Sequence, residues 1–112
     1  MAGYFELKRA AGDGYVFNLK AGNHETILTS EVYGSKEAAE NGIASVRRNA
    51  VSSKNFDRKL ARNGAPFFSL TSASNGQIIG KSEMYSSTRS MAGGIASVTR
   101  NAGRATIKDK SA

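Results

Sequence analysis

Along this chain the spacing of apolar side chains switches from two to about 3.6 residues, and later does so again. In YFELKR, Phe5 and Leu7 alternate with Tyr4, Glu6 and Lys8; in YVFNLKA, Tyr15, Phe17, Leu19 and Ala21 alternate with Val16, Asn18 and Lys20. A period of two sends successive side chains to opposite faces, so both stretches predict half-buried antiparallel strands. GDG at 12 to 14 separates them and GNHE at 22 to 25 follows. Glycine and asparagine enter positive φ cheaply, which suits tight hairpin turns. A third strand over TILTSEVY completes a meander, and IIGKSEMY predicts its equivalent further on.

The period then lengthens. Ala39, Ile43, Val46 and Ala50 fall on one helical face, as do Met91, Ile95, Val98 and Ala102, predicting two amphipathic helices laid on the sheet. Ser35 and Ser87 stand where each helix needs an N-cap. Burying one Ile or Val side chain is worth about 1.5 to 3 kcal/mol, so these helices depend mainly on tertiary packing. Beside each apolar stripe runs one of small volume: Gly42, Ser45 and Asn49, then Gly94, Ser97 and Asn101. A mid-helix glycine costs about 1 kcal/mol relative to alanine. Its recurrence predicts close packing against the other helix or a strand edge rather than a ligand contact. Asn49 and Asn101 read as helix terminators in the left-handed conformation. Arg48 and Arg100 suit the negative end of the helix dipole.

These parallels are parts of one duplication. SEVYGSKEAAENGIASVRRNA at 30 to 50 aligns without a gap onto SEMYSSTRSMAGGIASVTRNA at 82 to 102, with 12 of 21 positions identical. YVFNLKAGNHETIL at 15 to 28 matches FFSLTSASNGQIIG at 67 to 80 with one inserted residue, and Phe5 corresponds to Phe56. The chain therefore reads as a single domain over residues 1 to 112, made of two units at approximately 1 to 52 and 53 to 112.

Composition narrows the classes of function. A length of 112 residues suits one modest core. No apolar run approaches the roughly 20 residues of a membrane span, and MAGYFELKRA carries charge where a secretory signal is apolar, so a cytoplasmic protein without a membrane role is expected. With no cysteine, thiol chemistry is excluded. Residues 1 to 46 hold four basic and six acidic side chains, a net of −2, whereas residues 47 to 112 hold twelve and three, a net of +9. The densest run contains Arg47, Arg48, Lys54, Arg58, Lys59 and Arg62 against Asp57 alone. These six are the candidate contacts for nucleic acid, another anion or an acidic protein. The alternative is a solvated connector whose charges keep an exposed strand from pairing.

Two units with LKAGN or its variant, then SE[VM]Y, then GIASV followed by RNA, resemble the YegP-like family of small bacterial proteins in duplicated form. The resemblance spans the whole chain, and Gly42, Ile43, Ser45, Val46 and Asn49, repeated as Gly94, Ile95, Ser97, Val98 and Asn101, carry its most specific part. It implies an α+β fold of two tandem repeats, each a three-strand meander, a helix and a closing strand. These form one continuous sheet with two helices on one side, a pseudo-twofold axis, and the C-terminal strands exchanged between repeats. Under it, Phe56 to Ala61 joins the halves and Ala105 to Lys110 is the closing strand. Thr71, Ser72 and Ala73 depart from the LKAGN pattern, so a site built from that loop need not occur twice. The family brings no activity with it.

Catalytic candidates are few. The single histidine, His24, lies in a turn where its counterpart is Gly76, which predicts exposure rather than catalysis. One histidine without cysteine gives no metal-ligand spacing, and neither GDG nor AGG forms a phosphate loop. Glu31 and Glu83 are the best acids for general acid and base work, should the pseudo-twofold bring them together; the alternative is an ion pair with lysine on the open sheet face. That face is expected to expose Tyr4, Glu6, Lys8, Asn18, Lys20, Lys59 and Lys81, one route to single-stranded nucleic acid. The expectation is thus a non-enzymatic binding or accessory module without a cofactor, monomeric because duplication supplies the partner internally. Weak binding of single-stranded nucleic acid is the alternative.

Overall fold

The computed structural model describes residues 3–111. β1 (Tyr4–Arg9), β2 (Tyr15–Lys20) and β3 (Thr26–Ser30) form the first meander and lead into α1 (Lys36–Asn49). β4 (Phe56–Leu60), β5 (Pro66–Thr71) and β6 (Ile78–Lys81) form the second and lead into α2 (Thr88–Ala102), after which β7 (Thr106–Asp109) ends the fold. All seven strands belong to one mixed sheet in the order β4-β5-β6-β3-β2-β1-β7. The two meanders meet at their third strands, where Thr29 pairs with Lys81 and Ser30 with Gly80.

The alternation that predicted the strands sorts their side chains as expected. Phe5, Leu7, Phe17, Leu19, Leu28, Phe56, Phe68 and Leu70 are buried on the helix side. They share one core cluster with Ala39, Ile43, Val46 and Ala50 of α1 and with Met91, Ile95, Val98 and Ala102 of α2. Ser35 and Ser87 cap the helices, accepting from the amides of Ala38 and Ser90 at 3.0 Å each. His24 is exposed at φ 71°, the same value as Gly76, and its Nδ1 lies 3.0 Å from the Tyr4 hydroxyl.

Four expectations about local structure change. β3 and β6 stop at Ser30 and Lys81 rather than running on to Tyr33 and Tyr85. The Ser30 hydroxyl takes the Phe17 amide and donates to the Glu31 carbonyl, as Ser82 does with Phe68 and Glu83; this interrupts the ladder, which resumes in the first unit only as a single bridge between Tyr33 and Tyr15. The low-volume stripe faces neither the other helix nor a strand edge. A Cβ on Gly42 would lie 2.7 Å from Cζ of Tyr33 and 3.0 Å from Cε2 of Phe17, and one on Gly94 would run into the Tyr85 ring.

Asn49 and Asn101 do not terminate their helices in the left-handed region. α1 closes through Ala50 at φ −69° and α2 through Gly103 at φ −71°, both right-handed. Each asparagine amide instead bonds back to the serine one turn earlier, at the carbonyl and the hydroxyl. Asn49 Oδ1 then accepts from the Ala73 amide in the other unit, and Asn101 Oδ1 from the Gly3 amide, so both residues are cross-links between units.

Strand exchange runs one way only. β7 crosses to the first unit and pairs in parallel with β1, from Tyr4 opposite Thr106 to Leu7 opposite Asp109. The matching stretch after α1 is a single 3-10 turn, Ser53–Asn55, that passes directly into β4. β4 is the first strand of the second unit, antiparallel to β5, and its outer edge is unpaired among the described residues. Between the units the chain therefore runs from α1 through this turn straight into β4.

Candidate functional site

Most of the 12 positions identical between the aligned segments now have a structural role. Ser30 holds the end of a strand, Tyr33 stacks on Phe17 at 6.1 Å and sits under Gly42, Ser35 caps the helix, Ile43, Val46 and Ala50 fill the core, and Ser45 receives Asn49. Three are left: Glu31, Ala44 and Arg48. Among the described residues, neither charged side chain has a hydrogen-bond or ion-pair partner in the protein.

Both charges line one cleft of about 610 Å³ between the units, with Tyr33 and Ser45 from the first unit and Ser72, Ser74, Asn75, Gln77, Ile78 and Ile79 from the β5–β6 hairpin. The local sequence explains the convergence. Ser30 ends β3 and turns Glu31 outward, Arg48 stands one turn beyond Ser45 on the same helical flank, and Asn49 pulls the hairpin to the helix by accepting the Ala73 amide at 2.9 Å. Burial raises the Tyr33 hydroxyl above the usual tyrosine range, and the negative charge of Glu31 adds to this.

The pseudo-equivalent cleft differs in chemistry. Its lining is Glu25, Thr26, Ile27, Glu83 and Tyr85. Glu25 takes the place of Gln77, and Arg100, the counterpart of Arg48, is not part of the wall. Burial followed by the charges of Glu25 and Glu83 raises the Tyr85 hydroxyl. Glu31 and Glu83 are therefore held in separate clefts and make neither a carboxylate pair nor, among the described residues, an ion pair with an open-face lysine.

The six-residue basic run does not make one surface. Arg47 is engaged internally, donating to the Ala105 carbonyl at 2.8 Å with its guanidinium 5.4 Å from the Phe5 ring centroid. Its counterpart Thr99 donates to the Ala50 carbonyl, so the one residue of the repeated nonapeptide that differs ties the unit ends together in both halves. Arg48 belongs to the cleft and Lys54 to the 3-10 turn. Arg58 pairs opposite core-facing Phe68, Lys59 opposite Phe67 on the other face, and Arg62 lies in the exposed hairpin turn beyond.

The open face carries a coherent polar row instead. Asp57, Ser69, Lys81, Thr29, Asn18, Glu6 and Lys108 are successive cross-strand neighbours over all seven strands. Lys8, Lys20 and Lys59 flank it. Tyr4 and Asn18 were expected to be exposed there and are buried. The Lys108 ammonium lies 4.2 Å from the Tyr4 centroid and covers the ring, while Asn18 stands between its cross-strand neighbours Glu6 and Thr29. Glu6 meets Lys110 at 3.2 Å and Lys8 at 3.9 Å, and the Lys110 contact is the main cause of its lowered pKa.

Sequence reasoning missed the cleft because its walls come from different units. The signal available was subtraction: charged positions kept in both copies of a motif most of whose other members are required by packing or capping.

No helix among the described residues is long and apolar enough to cross a membrane. The family profile of DUF1508, a domain of unknown function, matches twice, at residues 10–57 and 61–109. A UPF0339 protein of Bordetella pertussis is 56% identical over 110 residues, covering 98% of this chain and 97% of its own. One from Pasteurella multocida is 52% identical over 107 residues, covering 96% and 93%, and YegP of Escherichia coli is 51% identical over 109, covering 97% and 98%. Among solved structures, the E. coli YegP solution structure superposes with a TM-score of 0.93 at 50% identity, covering 99% of this chain and 95% of that one. A UPF0339 protein of Shewanella oneidensis gives 0.92 at 47%, covering 99% and 93%.

Proposed function

The chain belongs to the UPF0339/YegP family, with the DUF1508 unit present twice, and from that premise we propose that it is a non-enzymatic, monomeric binding module whose ligand site is the cleft holding Glu31 and Arg48. The carrying observation is that the two repeated charged residues without a structural partner converge there. Volume and lining fit a small polar molecule: pockets for such ligands span about 300 to 1,000 Å³, with a few polar groups fixing orientation. Placement of the two best acids in separate clefts, with His24 in an exposed turn, supports binding over catalysis. The test is an amide-shift titration with a panel of anionic, cationic, zwitterionic and neutral small molecules. Saturable shifts at Ser45, Arg48, Ser72 and Gln77 support the reading; saturable shifts confined to other surfaces overturn it.

A second reading, weak binding of single-stranded nucleic acid, is favoured by the lysines on the uncovered sheet face, with Glu6 and Asp57 opposing it. Labelled RNA and DNA titrated at two salt concentrations decide it. Electrostatic binding weakens steeply with salt, and affinity weaker than micromolar at low salt removes the reading.

A further inference from the structure

We infer that the Glu31–Arg48 cleft takes a small zwitterion, a molecule presenting both a carboxylate and an ammonium group, an inference that rests on the cleft being the binding site. Arg48 offers a planar fork of donors matched to a carboxylate, and Glu31 offers an acceptor-only carboxylate matched to an ammonium group. A simple anion would meet repulsion from Glu31 and a simple cation repulsion from Arg48. Only a ligand carrying both charges draws favourable contacts from both residues. Each is free to turn toward a ligand, because neither is tied to another side chain among the described residues.

The rest of the wall suits the uncharged part of such a molecule. Ser45, Ser72, Ser74, Asn75 and Gln77 supply hydroxyls and amides that can donate or accept, and Ile78 with the Tyr33 ring supplies an apolar side. The second cleft is an internal control. With Glu25 and Glu83 and no arginine in its wall, it lacks the carboxylate-binding half of the pair.

The source of the zwitterion is a free amino acid or a short peptide, and both are used as probes. Glycine, serine, γ-aminobutyric acid and diglycine are titrated into isotope-labelled protein, with N-acetylglycine and glycinamide as the forms lacking one charge. At least one zwitterion shifts the Ser45, Arg48, Ser72 and Gln77 amides saturably, and its N-acetylated or amidated form binds at least tenfold more weakly. Preference for diglycine over the three amino acids identifies a peptide, and the reverse a free amino acid. Arg48→Ala and Glu31→Gln each weaken binding at least tenfold, while Arg100→Ala leaves it unchanged. If N-acetylglycine binds as tightly as glycine, the zwitterion inference fails while the cleft remains an anion site. If no probe, charged at one end or both, shifts the cleft amides, the zwitterion inference is overturned; a cleft that also ignores every other class in the wider panel removes the reading beneath it.

Discussion

The two halves of this chain do the same packing with the same residues and differ at their margins. In the first half the β1 edge is covered: β7 lies along it, Arg47 holds Ala105, and Lys36 pairs with Asp109 at 2.5 Å. In the second half the β4 edge is open, and Arg58 stands where β1 has Leu7, a fully buried residue. Leu60 on that edge is 69% exposed. The clefts diverge likewise, one with an arginine and a glutamate and the other with two glutamates. Both halves keep the residues their cores need, and they differ in what closes the sheet edge and in what lines each cleft. An inward-side charge on an unpaired strand discourages edge-to-edge association, so Arg58 guards the β4 edge, which no described strand covers.

The largest expected effects break the shared packing. Gly94→Ala forces a Cβ into the Tyr85 ring, and Gly42→Ala does the same at Tyr33. Overpacking of this kind costs about 1 to 3 kcal/mol, enough to outweigh the roughly 1 kcal/mol that alanine gains over glycine in a helix. Gly93, one residue earlier, has nothing within 4 Å of its would-be Cβ. Gly93→Ala should therefore raise the melting temperature while Gly94→Ala lowers it, and thermal unfolding of the two variants checks the sign of each.

Next come the cross-links between units. Asn49→Ala removes the bonds to Ser45 and to the Ala73 amide; Ala73 is exposed, so water takes the place of the lost partner and the cost is that of ordinary hydrogen bonds, about 0.5 to 1.5 kcal/mol each. Asn101→Ala should cost more, about 1 to 3 kcal/mol, since it strands the amide of Gly3, a buried residue. Chemical denaturation of both variants measures the difference. At the edges, Arg58→Leu recreates the β1 pattern without a covering strand, and a concentration-dependent shift to dimer in sedimentation should follow.

The smallest effect is a pH dependence at β7. Lys36 and the Ser111 groups hold the Asp109 carboxyl at about 2, below its usual 3.8. A depressed folded-state pKa means stabilisation that is present above pH 4 and is lost as pH falls through 2. Amide protection in β7 should therefore decline between pH 4 and 2 more than in Lys36→Met, which lacks the partner. Arg58 and the rest of β4 have no such anchor and should show no matching change.

How much of this was legible in the sequence follows from which interactions are local. Strand alternation in YFELKR and YVFNLKA, the apolar stripes and the serine caps depend on residues a few positions apart, and all are found as expected. The close packing expected of Gly42 is present, but its partner, like the role of Asn49, was misjudged because the partners are remote in sequence. Tyr33 is nine residues away and folds back under the helix, and Ala73 lies in the other unit. The one-way exchange of β7 was hidden for a different reason. Phe56 aligns with Phe5, so the same segment could not be both the closing strand of one unit and the opening strand of the next. The dense basic run looked continuous because sequence adjacency ignores the alternation that sends Arg58 and Lys59 to opposite faces. The cleft drew on both causes, since its acid and its arginine are 17 positions apart and its far wall belongs to the second meander.

The central claim, that the two halves share one scaffold while binding resides in one cleft, is tested most directly by mapping amide shifts during titration with the tightest-binding zwitterion. Saturable shifts at Ser45, Arg48, Ser72 and Gln77, with none at Thr26, Glu83 and Tyr85, are the predicted result. Equal shifts in both clefts, or shifts only at Lys20, Lys81 and Lys108 on the open face, would contradict it.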